Sequence, residues 1–220
     1  TIGTMSFAPV HGETMATEGL STITLASTSR DTEDNVPLTY TWNVTSTGGY
    51  VEISALTDST PTYIADLGGT HTVGLRVRDT FNAPSAGTAV SSFPVNWRPT
   101  SSILPYMVVS STFGETAITA NLSTISLFNA SGDPDAGDTI TYRWIVTDAD
   151  GVPRDNEVTN FGARNTSLTV MQFGTYTAQM RVSDSRRAPS GSTASIAIPV
   201  TNRRPTSTIA DWTVVASDAE

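Results

Sequence analysis

Hydrophobic and polar residues alternate along much of this chain instead of recurring every three or four positions. Leu38, Tyr40, Trp42 and Val44 are interleaved with Thr39, Thr41, Asn43 and Thr45, the period of two that a strand shows when one face is buried. Ile140, Tyr142, Trp144 and Val146 repeat the pattern against Thr141, Arg143 and Thr147, and only Ile145 departs from it on the outer face. A later strand is expected to bury His71, Val73, Leu75 and Val77 while Arg76 and Arg78 turn outward, and its twin to bury Tyr176, Ala178, Met180 and Val182. Ile23/Leu25 and Ile125/Leu127 predict an earlier strand, Tyr63 to Leu67 and Leu168 to Gln172 a middle one, Phe93/Val95 and Ile198/Val200 the last. No window carries a capped apolar stripe of helical period.

These strands come in two sets because the sequence repeats. Leu20-Ser21-Thr22-Ile23-Thr24-Leu25 returns 102 positions later as Leu122-Ser123-Thr124-Ile125-Ser126-Leu127, and Thr39-Tyr40-Thr41-Trp42 returns as Thr141-Tyr142-Arg143-Trp144. Beyond a three-residue insertion near Asp150-Gly151-Val152-Pro153 the shift becomes 105, pairing Gly69-Thr70-His71-Thr72 with Gly174-Thr175-Tyr176-Thr177. Arg98-Pro99-Thr100-Ser101 recurs as Arg204-Pro205-Thr206-Ser207. The expected organisation is one unit over 1–97, a second over 98–203, and the first strand of a third unit over 204–220. A chain of this kind reads as an excerpt from a longer array; the competing reading of 204–220 is a strand donated to a neighbouring chain. Units of about 100 residues, turn signals every 8 to 12 residues and a Trp in the third strand predict tandem all-β Ig-like two-sheet sandwiches.

Composition narrows the chemistry. Among 220 residues there are 37 Thr, 25 Ser, no Cys and no Lys, so all 12 cations are Arg. Disulfides, cysteine–zinc sites, Schiff bases and Lys–Asn isopeptide bonds are excluded. A net charge of -9 argues against nucleic-acid or anionic-membrane partners. No apolar run approaches the ~20 residues of a membrane span.

Asn202-Arg203-Arg204-Pro205-Thr206 ahead of a new unit, Ala130-Ser131-Gly132-Asp133-Pro134-Asp135-Ala136-Gly137-Asp138 leading into Ile140-Thr141-Tyr142-Arg143-Trp144, and Gly174-Thr175-Tyr176-Thr177 leading to Val182-Ser183-Asp184 resemble polycystic-kidney-disease-type (PKD) and related Ig-like repeats. The resemblance covers both units and implies extracellular or cell-surface, non-catalytic modules that space, link or adhere. Copy one departs from it, with Arg30-Asp31-Thr32-Glu33-Asp34-Asn35 in place of the Gly-Asp-Pro-Asp run.

Candidate sites are few. Asp133, Asp135 and Asp138 place three hard oxygen donors within six residues, a set able to hold Ca²⁺, although an acidic Pro- and Gly-containing turn has the same composition. Asp148-Ala149-Asp150-Gly151 shares that ambiguity. Asn43, Asn121, Asn129 and Asn165 begin Asn-X-Ser/Thr sequons, where ten Asn in so hydroxyl-rich a chain give about three by chance. His71, standing where copy two has Tyr176, reads as a packed, hydrogen-bonded core residue. No phosphate loop, zinc-binding His pair or nucleophile elbow occurs, so no catalysis is expected.

The junctions remain. Pro99 and Pro205 each fix one dihedral and restrict the residue before them, and Trp97, Arg98, Arg203 and Arg204 lie where adjacent units would touch, with Trp97 expected partly between them. The function this favours is a structural spacer, filament or surface-layer module whose partners are neighbouring repeats of the same chain, with homo-polymeric or surface assembly beyond. The alternative is an adhesin or accessory module that recognises glycan or protein through loops at one end of a sandwich, with Tyr50, Phe81 and Phe161 as candidate contacts.

Overall fold

In the computed structural model, residues 1–31, 37–47, 49–51, 57–108 and 113–208 are described. The first group of strands is β1 (Ser6–Ala8), β2 (Thr22–Thr24), β3 (Thr39–Ser46), β4 (Gly49–Val51), β5 (Thr62–Ile64), β6 (Gly69–Arg78) and β7 (Ala89–Val95). They form two antiparallel sheets, β1-β2-β5 and β4-β3-β6-β7. The second group is β8 (Met107–Val108), β9 (Thr124–Leu127), β10 (Thr141–Thr147), β11 (Thr166–Thr169), β12 (Gly174–Ser183) and β13 (Ala194–Val200), in sheets β8-β9-β11 and β10-β12-β13. A 3-10 turn at Asp155–Glu157 precedes β11. Among the described residues no strand of one group pairs with a strand of the other.

Each group encloses its own core. Trp42 and Val44 of β3 meet Val73 and Leu75 of β6 on one inner face, against Ile23, Leu25, Tyr63 and Ala65 from the other sheet. The second core repeats this with Trp144, Val146, Ala178 and Met180 against Ile125, Leu127, Leu168 and Val170. The alternating residues thus supply the inner faces of two-sheet sandwiches, as the period of two requires. Both tryptophans are buried, and each indole N–H finds a carbonyl: Trp42 Nε1 donates to Asp58 O at 2.8 Å, Trp144 Nε1 to Ala163 O at 3.1 Å. These bonds satisfy the one polar atom that would otherwise be desolvated alone.

The middle strands stop earlier than the alternation suggests. β11 ends at Thr169 and β5 at Ile64, because the chain beyond them is recruited to a corner. The Tyr176 hydroxyl accepts from the backbone N–H of Met171 and Gln172 at 3.1 and 2.9 Å and donates to Glu157 Oε2 at 2.8 Å. His71 makes the corresponding corner in the first sandwich through its Nε2, which lies 2.8 Å from Leu67 O. Of the candidate third strand, residues 209–220 lie outside the described residues, as do 32–36 of the first-copy acidic loop.

Candidate functional site

The chain leaving β7 passes directly into the second sandwich, and the chemistry gathers at that crossing. Asn96 is buried, and its Nδ2 donates to Asp184 Oδ2 at 2.7 Å. The Trp97 backbone N–H donates to Asp135 Oδ2 at 2.8 Å. The Arg98 guanidinium then grips the loop after β12, Nε donating to Pro189 O and one terminal nitrogen to Ser190 O, each at 2.8 Å. From the β1–β2 loop, the Thr14 N–H donates to Arg186 O at 3.1 Å. Pro99 is buried behind this set, and Ser101 Oγ donates to Met180 O at 2.6 Å. Asn96 and Trp97, the last residues of the first unit, are therefore hydrogen-bonded to loops of the second, and Arg98, the first residue of the second, holds both sides, its backbone N–H donating to Glu18 Oε2 at 3.3 Å and its guanidinium to the loop after β12.

The Trp97 ring also has a seat within the first sandwich. A Cβ added at Gly68 would lie 2.3 Å from Trp97 Cδ2, so the indole lies directly on the bare backbone of the first sandwich's own β5–β6 turn. Its backbone, and not its ring, provides the bond to Asp135. In the second copy the partners are exchanged: Phe173 stands at the glycine position and Arg203 at the Trp position, with the guanidinium carbon 4.5 Å from the ring centroid. Arg204 and Pro205 are exposed.

Asp133, Asp135 and Asp138 converge beneath the crossing. One carboxylate oxygen from each lies within 4.8 Å of the others. Each also has an oxygen committed to protein: Asp133 Oδ1 accepts the Asp135 N–H, Asp135 Oδ2 the Trp97 N–H, and Asp138 Oδ1 the Ser185 hydroxyl. The remaining oxygens of Asp133 and Asp138 are buried without a hydrogen-bond partner, and the Asp138 side chain is only 9 % exposed. Burial, then the adjacent carboxylates of Asp184, Asp135 and Asp138, hold the Asp133 carboxyl above its ordinary range despite the bond from Asp135 N–H. Arg186, 3.5 Å from Asp138 Oδ1, is the cation in ion-pair contact with this set among the described residues. Hard, crowded and incompletely hydrogen-bonded carboxylates are the donor set that Ca²⁺ takes.

The other candidates separate. Asp148 is already occupied: it pairs with Arg154 and accepts from the N–H of Asp150 and Val152, and that pairing, the Arg154 bond first, holds its carboxyl below the ordinary range. Asn129 is 5 % exposed with its Nδ2 enclosed, whereas a glycan is attached through that nitrogen at a surface position. Asn43, Asn121 and Asn165 are exposed; Asn121 holds a φ of 62° where Gly19 holds 64°. Phe81 is 79 % exposed on the β6–β7 loop, whereas Phe161 lies 5.6 Å beneath the Arg143 guanidinium. The Tyr50 side chain lies outside the described residues. Sequence reasoning did not single out Asn96 or Gly68. The recurrence of Asn96 as Asn202 ahead of Arg-Pro is the signal that could have found the first.

No family model and no curated protein matches the chain. Solved structures with similar folds include a C-terminal fragment of intimin in complex with the intimin-binding domain of its translocated receptor, at 15 % identity and a TM-score of 0.46, with 92 % of this chain and 64 % of that one covered. Fibronectin(III)-like modules of Clostridium thermocellum CbhA align at 13 % identity and a TM-score of 0.36, covering 96 % of this chain and 100 % of theirs. A two-domain fibronectin type III segment of chicken tenascin aligns at 12 % and 0.33, covering 90 % and 98 %. The chain spans 64 % of the intimin fragment's length. Among the described residues no helix is long and apolar enough to cross a membrane.

Proposed function

We propose that this chain is a spacer segment of an extracellular tandem array of PKD-like sandwiches, with units bounded at 97/98 and 203/204, whose task is to hold successive units at a fixed mutual angle. The supporting observation is the bond pattern at the crossing: Asn96 and Trp97 of the first unit bond to two loops of the second, and Arg98 bonds to Glu18 of the first and to Pro189 and Ser190 of the second. A short Pro-containing linker limits the path of the chain. Directional hydrogen bonds at three consecutive residues limit rotation about that path as well. The role is mechanical and needs no reacting group. The exposed sequons Asn43, Asn121 and Asn165 leave room for glycan on the flanks of such a rod, and Arg203, Arg204 and Pro205 supply the equivalent segment for a following unit or a neighbouring chain.

Small-angle scattering of the 220-residue protein tests this. Wild type is expected to give a narrow, elongated pair-distance distribution, and Arg98→Ala, which removes both carbonyl bonds, a broader one. An Arg98→Ala profile that superposes on wild type, with the fold intact by circular dichroism, overturns the reading.

A further inference from the structure

We propose that Asp133, Asp135 and Asp138 bind a single Ca²⁺ ion and that its occupancy sets the stiffness of the crossing between the two sandwiches. The inference deepens the spacer reading and rests on it for its consequence, though not for the binding itself. An ion that holds oxygens at about 2.4 Å accommodates donor pairs up to about 4.8 Å apart, and the three carboxylates lie within that separation.

Two features distinguish this cluster from an ordinary acidic turn. An acidic turn leaves its carboxylates in water or satisfies them with backbone N–H groups. Here the second oxygens of Asp133 and Asp138 are buried and unpartnered, and Asp138 is nine-tenths enclosed. Such oxygens carry the full desolvation cost unless a cation meets them. Charge makes the same demand: Asp184, Asp135 and Asp138 all act on Asp133 as like charges, and among the described residues the ion pair made by this group is that of Asp138 with Arg186. Backbone and side-chain bonds already fix one oxygen of each ligand, so the three carboxylates are positioned beside one another before any ion arrives.

The coupling follows from Asp135. Its Oδ2 accepts the Trp97 N–H from the preceding sandwich. A cation that fixes the Asp135 carboxylate therefore also fixes the acceptor for that bond, while repulsion among unneutralised carboxylates loosens the loop that carries it. The geometry assigns the regulatory cation to the seam between modules, where a small change in loop order becomes a change in reach.

Calorimetric titration of the whole chain with CaCl₂ reads the binding, and scattering with and without calcium reads the coupling. One site is expected, with Kd in the range of about 10⁻⁴ to 10⁻³ M typical of extracellular modules, and at ten times Kd the unfolding equilibrium shifts about elevenfold toward the native state. Asp133→Asn/Asp138→Asn should abolish the heat and the shift while raising calcium-free stability, because two like charges are gone. If both carboxylates serve only the fold, that variant loses stability equally in EDTA and in calcium, and the proposal fails. No heat at 10 mM calcium also overturns it, while the Arg98→Ala result still tests the spacer reading independently. Binding with unchanged scattering overturns the coupling.

Discussion

The Asn96 side-chain amide donates a 2.7 Å hydrogen bond to Asp184 Oδ2, and both residues are buried although they belong to different sandwiches. Removing the donor leaves a carboxylate oxygen enclosed without its partner, which costs about 1–3 kcal/mol and more when the group is charged. Asn96→Ala is therefore expected to lower the urea midpoint and to shorten the correlated tumbling of the two sandwiches in NMR relaxation. Asn202→Ala, whose amide meets the Thr119 hydroxyl at 3.0 Å within one sandwich, should cost less and leave the tumbling as it was. Equal effects of the two substitutions would remove the special role of the Asn96 bond.

Gly68 and Trp97 form a pair in which each permits the other. An alanine at 68 would place its Cβ 2.3 Å from the indole, so the ring must move or the turn must open. Gly68→Ala is expected to destabilise the first sandwich by about 1–3 kcal/mol. In a Trp97→Ala background the same change should cost much less, a coupling that a double-mutant cycle measures. Additive costs would mean that the ring and the turn are independent.

His71 makes stability depend on pH. Its Nε2–H donates to Leu67 O, so Nδ1 accepts the Tyr63 hydroxyl at 2.9 Å, and the Tyr63 and Phe93 rings lie beside it. Burial first holds its pKa below the ordinary 6.5, opposed by the bond to Leu67. The unfolded chain then binds a proton more readily than the folded one, so the contribution is complete above about pH 6.5 and is lost as pH falls through the depressed value. Urea midpoints measured from pH 7.5 downward should fall more steeply for wild type than for His71→Gln, which keeps a donor and an acceptor but does not titrate. Parallel curves would exclude His71 as the cause.

Arg187 adopts a φ of 70° on the loop that Arg98 grips, at the position where the first copy has Asn82 at 64°. The left-handed region disfavours a side chain with a full Cβ by about 1–2 kcal/mol, and Asn least among non-glycine residues. Arg187→Asn is expected to raise stability by up to about 1 kcal/mol with the scattering profile unchanged. A loss of stability would show that the Arg187 side chain contributes more than its backbone strain removes.

Strand positions were legible because burial imposes a period of two, and Trp42, Val44, Trp144 and Val146 show it without interruption. Strand ends were less so, since β5 and β11 are cut short by corner bonds to His71 and Tyr176, which join residues several positions apart and leave no periodic trace. The acidic triplet could be read from spacing, but its enclosure could not: Asp138 is covered by Ser185 and Arg186, some 47 residues away. The place of Trp97 near the repeat boundary predicts a ring partly between the units. Its contact with the first sandwich depends on the missing side chain of Gly68, a fact about a neighbour that a hydrophobicity pattern does not record.

Arg98 bonds to the carbonyl oxygens of Pro189 and Ser190 and to neither side chain. Every residue presents the same carbonyl, so the grip is indifferent to which amino acids occupy the loop. The bonds of Asn96 and Trp97 at the crossing go to the side chains of Asp184 and Asp135, so the loop under Arg98 is free to change its residues while those two aspartates are not: a unit that diverges or is duplicated keeps its coupling only where both are kept.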